Sequence, residues 1–157
     1  MTPAAPPADL DPQNIPAHVA VIMDGNGRWA RQQGNTRLFG HRNAIRAVRE
    51  TAEAAAELGC THLTLYAFSA ENWSRPQLEV EGLMQLLYGT LHQELPTLQE
   101  NGIRLQSIGD THALPERVVR ALEEAKTATA SGGRMTLTLA LNYGARQDLT
   151  QAVQQLA

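Results

Sequence analysis

The chain has 157 residues and a mass of 17.1 kDa, the size of one ordinary domain, and a domain of that length buries roughly 70% of the surface its unfolded chain exposes. A formal net charge of -3 argues against a nucleic-acid binder, the lone Cys60 excludes an internal disulfide, and the five histidines lack zinc-finger spacing. No run approaches the roughly 18 consecutive apolar residues of a membrane span, and the N-terminus lacks a basic segment followed by an apolar one, so the expected location is cytoplasmic.

In chain order, residues 1–14 carry Pro at 3, 6, 7 and 12 and read as a disordered leader, leaving 15–157 as a single domain. His18 to Met23 predicts a first strand. Ala44, Ile45, Val48, Ala52, Ala55 and Leu58 recur at helical spacing ahead of Gly59, which predicts an amphipathic helix over 41–58. Thr61 to Phe68 is a second strand. Ser74 followed by Gln77 reads as a capping box with Pro76 in the first turn, opening a long helix to about Gln99 that Pro96 kinks or shortens. That helix carries Val80, Leu83, Met84, Leu87, Leu91, Leu95 and Leu98 on one stripe, widened by Leu78 and Leu86, and is expected to be buried on more than one side. Ile103 to Ile108 is a third strand, Pro115 to about Thr129 a third helix, Met135 to Leu141 a fourth strand and Arg146 onward a fourth helix. Apolar strands separated by helices long enough to cross over predict an α/β fold, a mostly parallel sheet flanked by helices on both faces, with ligands bound beyond the carboxyl ends of the strands.

The charge is unevenly spread. Arg outnumbers Lys 12 to 1, and six arginines (28, 31, 37, 42, 46 and 49) fall between residues 25 and 49 with no acid among them. A guanidinium suits forked contacts to phosphate, although a solvated helix face explains the same run. At the end of the first strand stands Asp24-Gly25-Asn26-Gly27-Arg28-Trp29-Ala30. Two glycines around Asn26 permit a tight turn whose N–H groups, backed by a helix start, form an anion cradle to which Arg28 adds full charge. The run also satisfies the dinucleotide pattern G-x-G-x-x-A. Two features oppose that pattern, since Asp24 would put a carboxylate beside a pyrophosphate and the bulky Trp29 follows the turn where close packing is wanted; a carboxylate next to phosphate makes chemical sense with Mg²⁺ between them. A plain strand-to-helix turn capped by Asp24 remains the alternative. The second strand ends in Ser69-Ala70-Glu71-Asn72-Trp73-Ser74-Arg75-Pro76, which a parallel sheet brings to the same edge as Asp24. Arg37 lies ahead of the helix predicted over 41–58 and His41 at its start, where His41 meets phosphate or serves as a cap.

These segments resemble the cis-prenyltransferases. The resemblance rests on Ile15-Pro16-Ala17-His18-Val19-Ala20, on Met23 through Ala30, on Gly40-His41-Arg42, on Leu65 through Pro76 and on Leu141-Asn142-Tyr143-Gly144-Ala145-Arg146, in that order. It departs at Ala70, where the family often has Thr, and at Ala145, where it often has a second Gly. It implies condensation of isopentenyl diphosphate onto an allylic diphosphate such as farnesyl diphosphate. The implied product is a long polyprenyl diphosphate, undecaprenyl diphosphate, a lipid carrier for cell-wall synthesis. It further implies Mg²⁺ on Asp24, catalytic roles for Asp24 and Asn72, and substrate contacts from Gly25, Asn26, Gly27, Arg28, Trp29, Arg37, His41, Ser69, Ala70, Glu71, Trp73 and Arg75. The family assigns Asn72 a proton-acceptor role, but a neutral amide is a poor base and positioning suits it better. The stripe from Val80 to Leu98 is a candidate tunnel wall or a plain core face.

A homodimer and attachment to the membrane's inner face through the product are also implied, with no nucleic-acid partner. Family members continue into an Arg-rich segment with Arg-x-Ser that grips isopentenyl diphosphate and a further Glu that holds the metal. The chain is therefore expected to be truncated, and inactive alone. Two other readings stay open. One is a non-catalytic partner subunit. The other is a dinucleotide-dependent oxidoreductase, which wants an acid about 20 residues after the glycines; Glu50 falls inside a predicted helix and Glu71 comes too late.

Overall fold

The structure, a computed structural model, describes Leu10, Asp11 and residues 13–156, so most of the expected leader lies outside the described residues. Four strands, β1 (His18–Ile22), β2 (His62–Ser69), β3 (Ile103–Ile108) and β4 (Met135–Tyr143), pair throughout in parallel in the order β1-β2-β4-β3. Between and after them run α1 (Asn26–Gln32), α2 (Arg37–Glu57), α3 (Gln77–Glu100), α4 (Glu116–Ala128) and α5 (Ala145–Leu156).

The register explains the core. Successive side chains of a strand point to opposite faces, so paired residues of parallel neighbours form rows. Val19, Leu63, Leu137 and Leu105 make one row, and Val21, Leu65 and Leu139 continue the same face. Onto it pack Ala52, Ala55 and Ala56 of α2 and Val80, Met84, Leu91 and Leu98 of α3, all buried. The alanines let α2 lie close to the sheet. Each fully buried Leu here contributes roughly 1.5–3 kcal/mol of transfer free energy. α4 extends this core past the β3 edge through Val118, Ala121, Leu122 and Ala125, one stripe at helical spacing. The buried Thr129 hydroxyl accepts from the Leu105 N–H at 3.0 Å and donates to the Ala125 carbonyl at 2.8 Å, tying the end of α4 to the sheet.

The parallel sheet with packed helices matches the sequence expectation, with one difference in how it is covered. Among the described residues α2, α3 and α4 share one core, and the opposite face carries a mixed row, His18, His62, Thr136 and Arg104, followed by Ile22, Tyr66, Ala140 and Ile108. Ile22 is 76% exposed and His18 and His62 are exposed. α5 has no buried residue; its apolar Leu149, Val153 and Leu156 are exposed.

Local boundaries shift for physical reasons. α2 starts at Arg37 rather than residue 41, because Thr36 caps it, its hydroxyl accepting from the Phe39 N–H at 3.3 Å. Arg37 and His41 thus sit one turn apart on the same helix face. The capping box belongs to Ser69 and Asn72 at the 3₁₀ turn Ala70–Ser74, not to Ser74 and Gln77, and α3 begins directly after Pro76. Ser74 instead donates its hydroxyl to the Glu71 carbonyl at 2.7 Å. Pro96 remains inside α3, which runs on to Glu100. On α3, Leu83, Leu87 and Leu95 pack against the core while Leu78 is 82% exposed, so the widened stripe is only partly covered.

Candidate active site

The carboxyl ends of β1 and β2 open on a cavity of about 380 Å³ between the sheet, α2 and α3. Its depth is apolar, walled by Ile45 and Val48, by Leu83, Met84, Leu87 and Leu91, and by Leu65, Leu139 and Leu141 of the sheet. Its mouth is polar. Asp24, Asn26, His41, Ser69, Asn72 and Arg75 all border it, six residues drawn from three places in the chain.

The turn after β1 is built as its glycines require. Gly25 precedes α1 in the left-handed region, φ +92°, which a side chain rarely adopts. Asp24 Oδ1 accepts from the Gly25 N–H at 2.6 Å and Oδ2 from Arg28 Nη2 at 3.1 Å. Both side chains are about three-quarters exposed, so the pair holds the turn without being buried in it. Gly27 is buried against Arg37; a Cβ there would lie 3.2 Å from Arg37 Nε. Gly40 brings α2 against the start of α1, where a Cβ would overlap the Asn26 carbonyl oxygen.

Beside this turn lies a group that the sequence reading left incomplete. Glu79, one turn into α3, places a single oxygen, Oε1, 2.9 Å from Arg37 Nε and 2.9 Å from Arg75 Nη1, and 4.0 Å from His41 Nε2. The carboxylate is 13% exposed. Burial alone would raise its pKa, but the hydrogen bonds and charges of Arg37 and then Arg75 prevail and hold it below the ordinary carboxylate value. His41 is held below the usual imidazole value, first by burial and then by Arg75, with Glu79 opposing and Arg37 adding to the depression. Its Nε2 is buried and makes no hydrogen bond. Two guanidiniums and an unpaired imidazole nitrogen thus converge on one carboxylate oxygen. Glu79 follows Arg75 at i,i+4, the one signal in the sequence that could have marked it.

The 3₁₀ turn supplies the other side of the mouth. Asn72 Oδ1 accepts from the Ser69 N–H at 3.3 Å. Trp73 packs edge-on against Phe68, ring centroids 5.1 Å apart, and donates from Nε1 to Asn142 Oδ1 at 2.8 Å. Asn142 itself has φ +48° and donates from Nδ2 to the Asp110 carbonyl. It straps the turn to the end of β4, a positioning role not foreseen from the sequence. Glu71 is exposed, its pKa lowered first by its own backbone N–H and then by the Ser69 hydroxyl.

The structure therefore brings Asp24, Asn26, His41, Ser69, Asn72 and Arg75 to one cavity and links Arg37 to them through Glu79. Gly25, Gly27 and Arg28 form the adjacent turn. Trp29 does not join them; it stacks on Phe39 at 6.3 Å and 11°, both rings partly exposed. Ala70, Glu71 and Trp73 are not among the residues that line the cavity. For a metal, Asp24 lines the cavity at its mouth with a carboxylate not shared with Arg37 and Arg75, and among the described residues no cluster of three His, Cys, Asp or Glu side chains surrounds it. One carboxylate fits Mg²⁺, which commonly takes one or two protein oxygens and completes its shell with waters and substrate phosphates.

The cavity thus joins a polar mouth at the carboxyl ends of the strands to an apolar depth between the sheet, α2 and α3. The family model described as "Putative undecaprenyl diphosphate synthase" matches residues 22–157, and the chain belongs to that family, the cis-prenyltransferases. It is 47% identical over 149 residues to a ditrans,polycis-undecaprenyl-diphosphate synthase ((2E,6E)-farnesyl-diphosphate specific) of Haemophilus ducreyi, a match covering 95% of this chain and 62% of that one. An isoprenyl transferase of Agrobacterium fabrum is 47% identical over 144 residues, covering 92% and 58%. Among solved structures, lavandulyl diphosphate synthase from Lavandula x intermedia, in complex with dimethylallyl diphosphate, superposes with a TM-score of 0.87 at 32% identity over 90% of this chain and 61% of that one. The chain thus spans about three-fifths of the length of these relatives. Nothing in the match supports the dinucleotide reading.

Proposed function

We propose that this chain carries the allylic-substrate half of a cis-prenyltransferase site, in a protein that condenses isopentenyl diphosphate onto an allylic diphosphate to build a polyprenyl diphosphate. The observation that carries the reading is the junction of two chemistries in one cavity: His41 and Arg75 at its mouth, with Arg37 tied to them through Glu79, and some 380 Å³ of apolar space behind them. A ligand that fits both has an anionic head and a hydrocarbon tail. Farnesyl diphosphate is the allylic substrate named for the Haemophilus ducreyi relative, and undecaprenyl diphosphate its product.

In the reaction, the allylic diphosphate leaves with the bonding electron pair, and charge grows on its oxygens. In this reading the N–H groups of Asn26, Gly27 and Arg28 and the Arg28 guanidinium stabilise that charge, and the N–H groups of Arg37 and Arg75 that Glu79 does not occupy add further donors. Mg²⁺ held by Asp24 would supply further electrostatic stabilisation of the leaving group. The unpaired Nε2 of neutral His41 accepts from a protonated phosphate hydroxyl or, once itself protonated, donates to a phosphate oxygen. Asn72, whose amide oxygen is engaged within its own turn, orients the second substrate rather than removing its proton, which passes to phosphate or water. Homodimer formation, cytoplasmic location, contact with the membrane through the product and a role in cell-wall carrier synthesis belong to the same proposal. In the described residues no helix is long and apolar enough to cross a membrane.

The test is calorimetric titration of the chain with farnesyl diphosphate, farnesol and inorganic diphosphate. Both parts of the cavity are needed if farnesyl diphosphate binds at least about 100-fold tighter than either fragment, a gain of about 2.7 kcal/mol. Equal affinity for farnesyl diphosphate and farnesol would refute the diphosphate site.

A further inference from the structure

The sheet face turned away from the cavity begins with a row that parallel strands, usually apolar on both faces, seldom carry. His18, His62, Thr136 and Arg104 stand side by side at the end of the sheet farthest from the mouth, with Thr64, Thr138 and Gln106 in the next row on that face. His18 and His62, distant in the chain, are directly opposite each other in the β1–β2 register. Both are exposed, and their ring centroids are 5.9 Å apart at an interplanar angle of 60°. The chemistry at the strand ends leaves this pair without a task.

A threonine holds each ring. Thr61 donates its one hydroxyl proton to the Ala17 carbonyl at 3.0 Å, so its 3.0 Å contact with His62 Nδ1 is a hydrogen bond only when the ring nitrogen is the donor. That places the ring proton on Nδ1 and leaves a lone pair on His62 Nε2. His18 Nε2 lies 2.8 Å from the Thr64 hydroxyl, which can accept the ring proton and so leave the lone pair on Nδ1. A metal-ligating histidine ordinarily gives its other ring N–H to such an oxygen, which fixes the tautomer and the ring's orientation. With metal–nitrogen distances of about 2.0–2.1 Å and ring nitrogens about 1.1 Å from the ring centre, two imidazoles on one ion have centroids roughly 5.1 Å apart at a tetrahedral angle and at most roughly 6.3 Å apart. The observed 5.9 Å falls inside that range. Among the described residues no third His, Cys, Asp or Glu joins the pair, so water completes the coordination shell.

We propose that His18 and His62 form a two-histidine site for a nitrogen-seeking divalent metal ion such as Zn²⁺ or Cu²⁺, on the sheet face opposite the cavity. Imidazole suits these ions, whereas Mg²⁺ takes oxygen ligands, so the pair does not compete for a Mg²⁺ on Asp24 at the other end of β1. The bound ion clips β1 to β2 beneath the segments that end at Asp24 and Ser69. It stabilises the folded chain, because only folding brings the two rings together.

The experiment titrates the chain with Zn²⁺ by calorimetry near neutral pH, with Mg²⁺ present in large excess. One equivalent should bind, and His18→Asn and His62→Asn should each weaken it at least about tenfold, since each removes one of only two protein ligands. Thr61→Val, which removes the oxygen that orients His62, should weaken it by about tenfold. Zn²⁺ at about 100 times its Kd should raise Tm by about 5 °C or more in the unaltered chain and by less than about 1 °C in His18→Asn/His62→Asn. That double variant should bind farnesyl diphosphate as the unaltered chain does. Substoichiometric Cu²⁺ should broaden the NMR signals of His18 and His62 ahead of those of His41, His92 and His112, a readout that needs no variant to fold. Zn²⁺ affinity unchanged in either single variant overturns the site. So does Cu²⁺ broadening that starts at another histidine, or a Zn²⁺-induced rise in Tm that survives in the double variant.

Discussion

Replacing Glu79 by Gln removes the charge on which Arg37 and Arg75 converge while leaving an oxygen of similar size. Two contacts of 2.9 Å to one oxygen lose their ionic component. An exposed ion pair contributes roughly 0–1 kcal/mol and breaking a fully buried one costs roughly 3–5 kcal/mol. Here the carboxylate is 13% exposed and the two guanidiniums 32% and 27%, so the expected loss lies between those limits, about 1–3 kcal/mol for both contacts together. For a chain of this length that corresponds to a fall of roughly 3–10 °C in Tm. The pH dependence follows from the lowered pKa of Glu79. A carboxylate whose folded pKa lies below its unfolded one stabilises fully above the unfolded value, near 4.5, and loses that contribution as the pH falls through the folded value. Urea unfolding of both proteins, followed by tryptophan fluorescence at pH 7 and at pH 3, should show a clear separation of midpoints at pH 7 that narrows at pH 3. Coincident midpoints at pH 7, or a separation unchanged at pH 3, would show that the three-way contact does not hold the mouth of the cavity together.

Three further outcomes are expected. Asp24→Ala should leave Tm within about 2 °C, since the carboxylate is exposed and its partners belong to its own turn, but should abolish the Mg²⁺ dependence of farnesyl diphosphate binding; titrations with and without Mg²⁺ that still differ in the variant would remove Asp24 from the metal's shell. Gly40→Ala should cost about 1–3 kcal/mol or more, because its Cβ would overlap the Asn26 carbonyl and press on Ala30, and should weaken diphosphate binding by displacing the turn, so a variant with wild-type stability and binding would contradict the close approach of α1 and α2. Diphosphate binding should take up a proton near pH 6.5, since the ligand supplies the negative charge that His41 lacks between its two arginines and thereby raises a depressed pKa; calorimetry in buffers of different ionisation enthalpy should show this uptake, and its persistence in His41→Asn would assign it to another group.

How far the sequence carried the reading depends on the range of the interactions involved. Strand and helix identities were legible because period and burial agree: Leu63 and Leu65 alternate on β2, and Val118, Ala121, Leu122 and Ala125 repeat on α4. The Asp24–Arg28 turn was legible because its glycines and charges are adjacent in the chain. The errors came where a distant residue decides. Arg37 belongs to α2 because Thr36 supplies a cap that hydrophobic spacing does not register, and Ser69 rather than Ser74 closes a capping box because the short 3₁₀ turn intervenes before Pro76. Glu79 drew no reading from the sequence, yet its carboxylate is 42 residues from Arg37 in the chain and 2.9 Å away in space. Asn142 was quoted as a motif residue without a role, and its role is a contact with Trp73 across 69 positions.

The same distinction orders the site chemically. Residues that touch an anion can be named from the sequence, because phosphate demands arginine, backbone N–H and metal-bearing carboxylate in a small compass. Residues that set the spacing between those groups cannot, because a positioning side chain needs only the right partner at the right distance. Glu79 and Asn142 are of this second kind. In a site whose ligand has a charged head and an apolar tail, that spacing also fixes where the head is held relative to the cavity behind it. Arg37 and Arg75 share one oxygen of Glu79 where α2 and α3 begin, beside the mouth of the apolar cavity, so under the proposed function a change in Glu79 acts at once on anion binding and on the entrance to the cavity.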